Sequence, residues 1–280
     1  MTTAPGLTLD LLSTFALRRD GRRLPVPVAV ERLLAYVALG NRRVSRARVA
    51  GVLWPDAKPA RSTGCLRTAL WRLRQISDDV LLVTGTDLAL ADGVRVDVLE
   101  SFAAIRRLQA SGPALAPQST PPGWLTADLL PDWSDEWVVG RRERWRMLRL
   151  DVLELLASRL ATAGRYSEAV DVSLTAIQDE PLRESAHRHL ITAHLAAGNR
   201  AEAVLAYRRL SDLLDSELGI GPSPETAHLL AATVATPPAK EKRSSVDRRL
   251  QHTARRSPLD RPASHAALVA HHLADKWPVS

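Results

Sequence analysis

From Leu53 to Gln75 the chain reads Leu-Trp-Pro-Asp-Ala-Lys-Pro-Ala-Arg-Ser-Thr-Gly-Cys-Leu-Arg-Thr-Ala-Leu-Trp-Arg-Leu-Arg-Gln. A Pro-rich, basic connector feeds a segment whose spacing predicts a helix from Ser62 or Thr63 to Ile76. At about 100° per residue, Leu66, Ala69, Leu70, Leu73 and Ile76 share one side. Arg67, Thr68, Trp71, Arg72 and Gln75 project from the other, with Arg74 on the flank. The apolar stripe must dock on neighbouring elements. The guanidinium side is left for solvent or for a polyanion.

The flanking sequence supplies those neighbours. Leu7 to Val26 reads as short strands, with Asp20-Gly21 a strong hairpin turn. Ala29 to Leu39 has helical spacing and stops at Gly40-Asn41. Ser45 is a suitable N-cap for a second helix, which ends at Trp54-Pro55 because proline disfavours helix in the residue before it. After the third helix, Val80–Val83 and Leu88–Leu90 flank Gly85-Thr86-Asp87 as a second hairpin. Strands, three helices and a hairpin are the order of a winged helix-turn-helix.

Val98 to Ala110 is predicted helical, Ser111 to Gly123 a Pro/Gly/Ser-rich surface excursion, and Ser134 to Ala163 one long helix. Ala163-Gly164-Arg165-Tyr166-Ser167-Glu168-Ala169-Val170 then matches Ala197-Gly198-Asn199-Arg200-Ala201-Glu202-Ala203-Val204 at the tetratricopeptide offset of 34 residues. Pro181 is expected to open one repeat helix and Pro224 a last one ending near Val234. Residues 236–280, rich in Pro, Arg, His and Ser, are expected to be disordered. The fold class is therefore an α+β N-terminal winged helix-turn-helix followed by an all-α tetratricopeptide-like helical domain. The expected limits are 1–97, 98–235 and a basic tail, 236–280.

Charge follows these divisions. Residues 1–110 hold 17 Lys/Arg against 10 Asp/Glu, residues 111–235 hold 12 against 17, and residues 236–280 hold 9 against 4. The first segment suits nucleic acid. Arg67, Arg72 and Gln75 have the donor geometry for guanine and adenine edges, Thr68 has a methyl for thymine, and Trp71 is an outward aromatic. Arg61 and Arg74 are placed for phosphate. The bland alternative, a solvated arginine face with Trp71 buried on a neighbouring domain, remains open from the helix alone. The tail arginines add either nonspecific DNA affinity or only solubility.

The single cysteine, Cys65, excludes an intramolecular disulfide, and no apolar run is long enough to span a bilayer. With no secretory signal layout at the start, a cytoplasmic protein is expected. His187 and His189, two residues apart, cannot share a helix face, and His271-His272 fall in the tail, so no metal site is expected. Asp132, Asp135 and Glu136 suit a helix start better than acid/base chemistry, and Cys65 suits a small structural role. Tyr166, Tyr207 and Leu210 fit a repeat core. No catalytic residue and no cofactor are assigned.

Leu53-Trp54-Pro55-Asp56, Leu66 and Leu70-Trp71-Arg72-Leu73-Arg74 resemble the OmpR-type winged helix of the Streptomyces antibiotic regulatory proteins. Leu130-Pro131-Asp132, Glu136-Trp137, Arg141-Arg142-Glu143-Arg144 and Ala163-Gly164-Arg165-Tyr166 are similar to their bacterial transcriptional activation domain. So are Asp179-Glu180-Pro181-Leu182-Arg183-Glu184, Glu217-Leu218-Gly219-Ile220 and Pro222-Ser223-Pro224-Glu225. The resemblance covers roughly residues 7–235 in the family's order. It implies a non-enzymatic transcriptional activator of a secondary-metabolite (antibiotic) gene cluster that binds promoter direct repeats, self-associates on DNA and recruits RNA polymerase holoenzyme.

In such domains the positions matching Thr68 and Arg72 meet bases, and that matching Arg74 meets phosphate. The loop matching Trp54 to Arg61, with Trp54, Asp56 and Lys58, contributes to polymerase contact. The hairpin turn, with Thr84 and Thr86, enters the minor groove. Two departures stand out: no Arg or Lys lies between Val80 and Asp92, and Trp71 stands where many members carry a small polar residue. The chain also lacks the phosphate-loop pattern Gly-x-x-x-x-Gly-Lys-Ser/Thr of the family's large members, so the small type is expected. Two rivals remain: a tetratricopeptide-like interaction scaffold, and a repressor with the same DNA-binding domain.

Overall fold

Asp20 and Gly21 adopt φ of 52° and 80°, the left-handed pair that a two-residue hairpin of matching twist requires. They join β2 (Ala16–Arg19) to β3 (Arg22–Leu24), with Arg19 opposite Arg22. β3 stops before Pro25, which has no N–H to give a ladder. The computed structural model describes residues 6–40, 43–110 and 122–234. Ser111 to Pro121 and the tail beyond Val234, which carries the expectations for 236–280, lie outside the described residues. The chain divides into two units, the boundary falling between Val152 and Leu153.

In the first unit β1 (Leu7–Asp10) pairs antiparallel with β2 and parallel with β7 (Arg95–Val96), giving the sheet order β3-β2-β1-β7. The helices α1 (Val28–Ala38), α2 (Arg46–Leu53) and α3 (Pro59–Ile76) follow. A second sheet, β4-β6-β5, is made of Val44–Ser45, Asp87–Leu90 and Leu81–Val83. This is the expected winged helix-turn-helix. The periodicity did not announce β4 and β7, two residues each. The core lies where the helices meet the sheets: Leu9, Leu17, Leu33, Leu34, Leu66 and Leu88 are fully buried.

Two expected helix starts are corrected. α3 begins at Pro59 rather than at Ser62 or Thr63. Proline at the first helical position loses no bond, because that N–H has no partner within the helix, and the hydroxyls of Ser62 and Thr63 donate backward to Pro59 O at 3.1 and 2.8 Å. Pro181 does not open a helix. It sits in a turn closed by Arg183 N–H to Glu180 O at 3.1 Å, and the helix begins at Glu184. The Ser45 cap is present, its Oγ accepting the Arg48 N–H at 3.2 Å.

α4 (Asp97–Ala110) follows β7. The Asp97 carboxylate accepts the Leu11, Leu12 and Val98 N–H groups at 2.6–2.9 Å, tying the helix start to the end of β1. Burial nevertheless pushes its carboxyl above the usual range. After a 3-10 turn at Gly123–Leu125, Ser13 N–H donates to Asp128 O at 2.7 Å and Leu130 N–H to Leu11 O at 3.0 Å. Leu130 takes φ 44° there, and its carbonyl accepts from Arg142.

α5 (Glu136–Thr162) starts in this unit. Trp145 is fully buried, edge-on to Phe102 at 5.5 Å, and Trp137 is edge-on to Tyr36 at 5.1 Å. Asp135, at the helix start as expected, holds Arg32 Nε at 2.8 Å.

The second unit comprises the end of α5 with α6 (Tyr166–Asp179), α7 (Glu184–Ala196), α8 (Arg200–Leu218) and α9 (Pro224–Val234). The sequence repeat is a structural repeat. Gly164 and Gly198 take φ of 75° and 78°. Each is followed by the same closing bond, Arg165 N–H to Leu160 O at 2.9 Å and Asn199 N–H to His194 O at 2.8 Å, the wrap of a Schellman-type helix end. Ala169 and Ala203, equivalent by the 34-residue offset, are both fully buried, which lets consecutive helices approach closely. Leu210 is core, Tyr207 packs against the cluster around Ile191, and Tyr166 is half-buried.

Candidate nucleic-acid interface

α3 separates its two faces as its spacing dictates. Leu66, Ala69, Leu70 and Leu73 are at most 6% exposed, whereas Trp71 is 61% exposed. Arg67, Thr68, Arg72, Arg74 and Gln75 are also exposed, and so is Arg61 in the first turn. Ile76, expected on the buried side, is only half-buried at the C-terminal end of the helix. Arg61, Gly64, Arg67, Thr68 and Arg72, together with Trp54, line a concavity of about 600 Å³.

The charge on this face is uncommitted. Among the described residues no carboxylate lies within 4.0 Å of Arg61, Arg67, Arg72 or Arg74. The Thr68 hydroxyl donates to Gly64 O at 3.1 Å. At the far end Ser77 caps the helix. Arg19 from β2 reaches Ser77 Oγ at 2.8 Å and Asp79 at 2.5 Å, so α3 is fixed to the first sheet there. The Ser77 hydroxyl, bonded to Asp79, holds that carboxyl below its ordinary range.

In the connector, Trp54 is the half-buried C-cap of α2, while Asp56 and Lys58 are exposed and Lys58 is the N-cap of α3. Pro55 and Pro59 stiffen this five-residue link. In the second hairpin Thr84 and Thr86 are exposed at the tip. Their hydroxyls shape it: Thr84 Oγ1 accepts the Asp87 N–H at 2.9 Å and Thr86 Oγ1 donates to Asp87 Oδ2 at 2.8 Å. The backbone of Arg46, at the start of α2, is bonded to this tip through its N–H to Thr86 O at 2.8 Å. Reading the sequence did not single out Arg46, because nothing local links it to residues nearly forty positions away.

Cys65 is half-buried on α3. His187 is buried and donates from Nε2 to Pro181 O at 2.9 Å, and burial holds its imidazole below 6.5. No helix among the described residues is long and apolar enough to cross a membrane.

The family model of the bacterial transcriptional activator domain matches residues 123–233. The regulatory protein AfsR of Streptomyces coelicolor is 29% identical over 237 residues, which are 79% of this chain and 23% of AfsR; the chain thus spans about a quarter of that protein. The transcriptional regulatory protein MoaR1 of Mycobacterium tuberculosis is 25% identical over 244 residues, 80% of this chain and 78% of MoaR1. Among solved structures, Mycobacterium tuberculosis EmbR in complex with a low-affinity phosphopeptide matches with a TM-score of 0.67 at 21% identity, covering 83% of this chain and 66% of that one. That likeness bears on fold, and the fold is the one read above. An exposed arginine helix in a winged helix-turn-helix, followed by a segment that matches the bacterial transcriptional activator domain, is thus accompanied by similarity to transcriptional regulators over about four-fifths of the chain.

Proposed function

We propose that this chain is a sequence-specific DNA-binding transcriptional activator of a secondary-metabolite gene cluster, acting in the cytoplasm on promoter direct repeats. Residues 1–97 bind double-stranded DNA: Arg67, Thr68, Trp71, Arg72 and Gln75 read bases, and Arg61 and Arg74 hold phosphate. Thr84 and Thr86 lie at the wing. Residues 98–235, helix pairs of the kind that build extended binding surfaces, mediate self-association and contact RNA polymerase holoenzyme together with Trp54, Asp56 and Lys58. The basic segment 236–280 adds nonspecific DNA affinity or only solubility.

One observation carries this reading. Four arginines of one helix stand exposed with no carboxylate partner among the described residues, beside a 61% exposed tryptophan. Charge left unneutralised on a rigid, amphipathic helix is what a phosphate backbone and guanine edges require.

The test is selection of bound sequences from a random duplex pool by the full chain, repeated with Arg72→Ala. Wild type should enrich a direct repeat. The variant should lose about 1–3 kcal/mol of discrimination at one base position of each half-site. A pool that stays unenriched sinks sequence-specific binding. Run-off transcription from a selected promoter with purified holoenzyme separates activator from repressor. There, changes at Asp56 or Lys58 should lower transcript yield without lowering DNA affinity.

A further inference from the structure

The wing, as a hairpin, is electrostatically wrong for DNA. From Val80 to Asp92 it contains Asp87 and Asp92 and no basic residue. Its exposed tip presents threonines whose hydroxyls are turned to Asp87. The fold corrects this from outside the hairpin. β4 pairs with β6, Val44 opposite Leu88 and Ser45 opposite Asp87, which delivers the next residue, Arg46, to the tip. Its N–H donates to Thr86 O at 2.8 Å, and its guanidinium Nη1 donates to Thr84 O at 3.4 Å. The side chain is therefore held over the turn from two directions. It is half exposed, and among the described residues no carboxylate pairs with it. The long Nη1 contact leaves most of the guanidinium donors available, since the group has five N–H donors.

Arg46 is also the first residue of α2. In a helix-turn-helix the helix before the reading helix crosses the DNA backbone. One residue therefore stands at the junction of two elements that flank the groove, and it carries the charge that the hairpin lacks.

We propose that Arg46 is the cation of the wing: it binds a DNA phosphate beside the β5–β6 turn and fixes the register of the reading helix. The proposal rests on the reading of the chain as a DNA-binding regulator. Phosphate contacts position a protein without carrying sequence information, so loss of Arg46 should weaken all duplexes alike.

The experiment compares wild type, Arg46→Gln, Arg46→Lys, Arg46→Gln with Thr86→Arg, and Arg72→Ala. The probes are duplexes selected by the wild-type chain and unselected random duplexes, titrated between about 50 and 200 mM salt. Glutamine keeps a donor for Thr84 O and removes the charge, so a purely structural role would leave it near wild type. We expect Arg46→Gln to lose roughly fivefold to tenfold in affinity on both probes at about 0.1 M salt. The slope of log affinity against log salt should flatten by about one phosphate contact. Lysine, or the arginine returned at Thr86, should restore both.

If Arg46→Gln binds with wild-type affinity and slope while Arg72→Ala loses sequence preference, the wing assignment is overturned and the DNA reading stands. If Arg46→Gln is weak but Thr86→Arg does not rescue it, Arg46 holds the tip in place rather than binding phosphate, and the assignment is again overturned. If wild type binds neither probe, both readings fall together.

Discussion

Two arginine-rich helices in the first unit use the same side chain in opposite ways. On α3, Arg61, Arg67, Arg72 and Arg74 are exposed and unpaired among the described residues. On the first half of α5, Arg141, Arg142, Arg146 and Arg149 are consumed by the protein itself. Arg142 donates to Leu129 O at 2.9 Å, to Trp133 O at 2.7 Å and to Leu130 O. Arg149, 2% exposed, reaches Asp128 at 2.8 Å. Arg141 closes on Leu39 O at the end of α1, and Arg146 holds Glu143 at 2.9 Å. By composition both helices look fit for a polyanion. The difference lies in what surrounds them: α3 faces solvent beyond its apolar stripe, while α5 is packed amid tryptophans and loop carbonyls that need donors. A count of arginines says little; where their hydrogen bonds go says whether an external anion has anything to bind.

The sharpest way to break the comparison is to truncate one arginine from each helix. Arg142→Ala strands the Leu129 and Trp133 carbonyls and leaves Leu130 O, at a left-handed residue, with only the Trp133 N–H at 3.1 Å. At about 1–3 kcal/mol for an unsatisfied buried group, with partial relief by water, the expected loss is about 3 kcal/mol of stability. Denaturant unfolding measures it. Arg74→Ala should leave stability within about 0.5 kcal/mol of wild type and weaken binding to every duplex about equally. Equal unfolding midpoints for Arg142→Ala and wild type would contradict the structural role given to α5. A stability loss in Arg74→Ala comparable to that in Arg142→Ala would erase the distinction.

What could be read from the chain beforehand follows the range of the interactions. The faces of α3 were legible because a helical stripe is local and repeats. The 34-residue repeat was legible because its glycines mark a turn that only left-handed backbone can make, and Gly164 and Gly198 make it. The start of α3 was misplaced because Ser62 and Thr63 look like caps, whereas their hydroxyls bond back into the first turn. Pro181 was misplaced for a similar reason: proline suits both a first helical position and a turn, and only the Glu180–Arg183 bond decides. The roles of Arg142 and Arg46 depend on segments brought together by folding. Arg-Arg-Glu-Arg reads the same whether its donors face water or the carbonyls of Leu129 and Trp133, and a two-residue strand such as Val44–Ser45 has no period to detect.

A smaller effect extends the comparison to the second unit, where Arg183 donates from Nε to Glu154 at 2.7 Å. Burial works to raise the Glu154 carboxyl, but the bonds from Arg183 and Ser185 outweigh it and hold the group below 4.5. A lowered carboxylate contributes stability that is present above its unfolded value and is lost as pH falls through the folded one. His187, held below 6.5 by burial, obeys the same sign: its contribution is present above 6.5 and is lost as pH falls through its lower folded value. Acidification should therefore weaken the second unit in two stages, His187 first. His187→Gln, which can still donate to Pro181 O but cannot take a charge, should flatten the slope of stability against pH just below 6.5. Glu154→Gln should flatten it below 4.5 and leave the upper stage intact. Arg74→Ala, a change on the exposed face of α3, should reproduce the wild-type pH profile. If the slope just below 6.5 is unchanged by His187→Gln, the proton is taken up elsewhere and the buried imidazole plays no part in the acid limb.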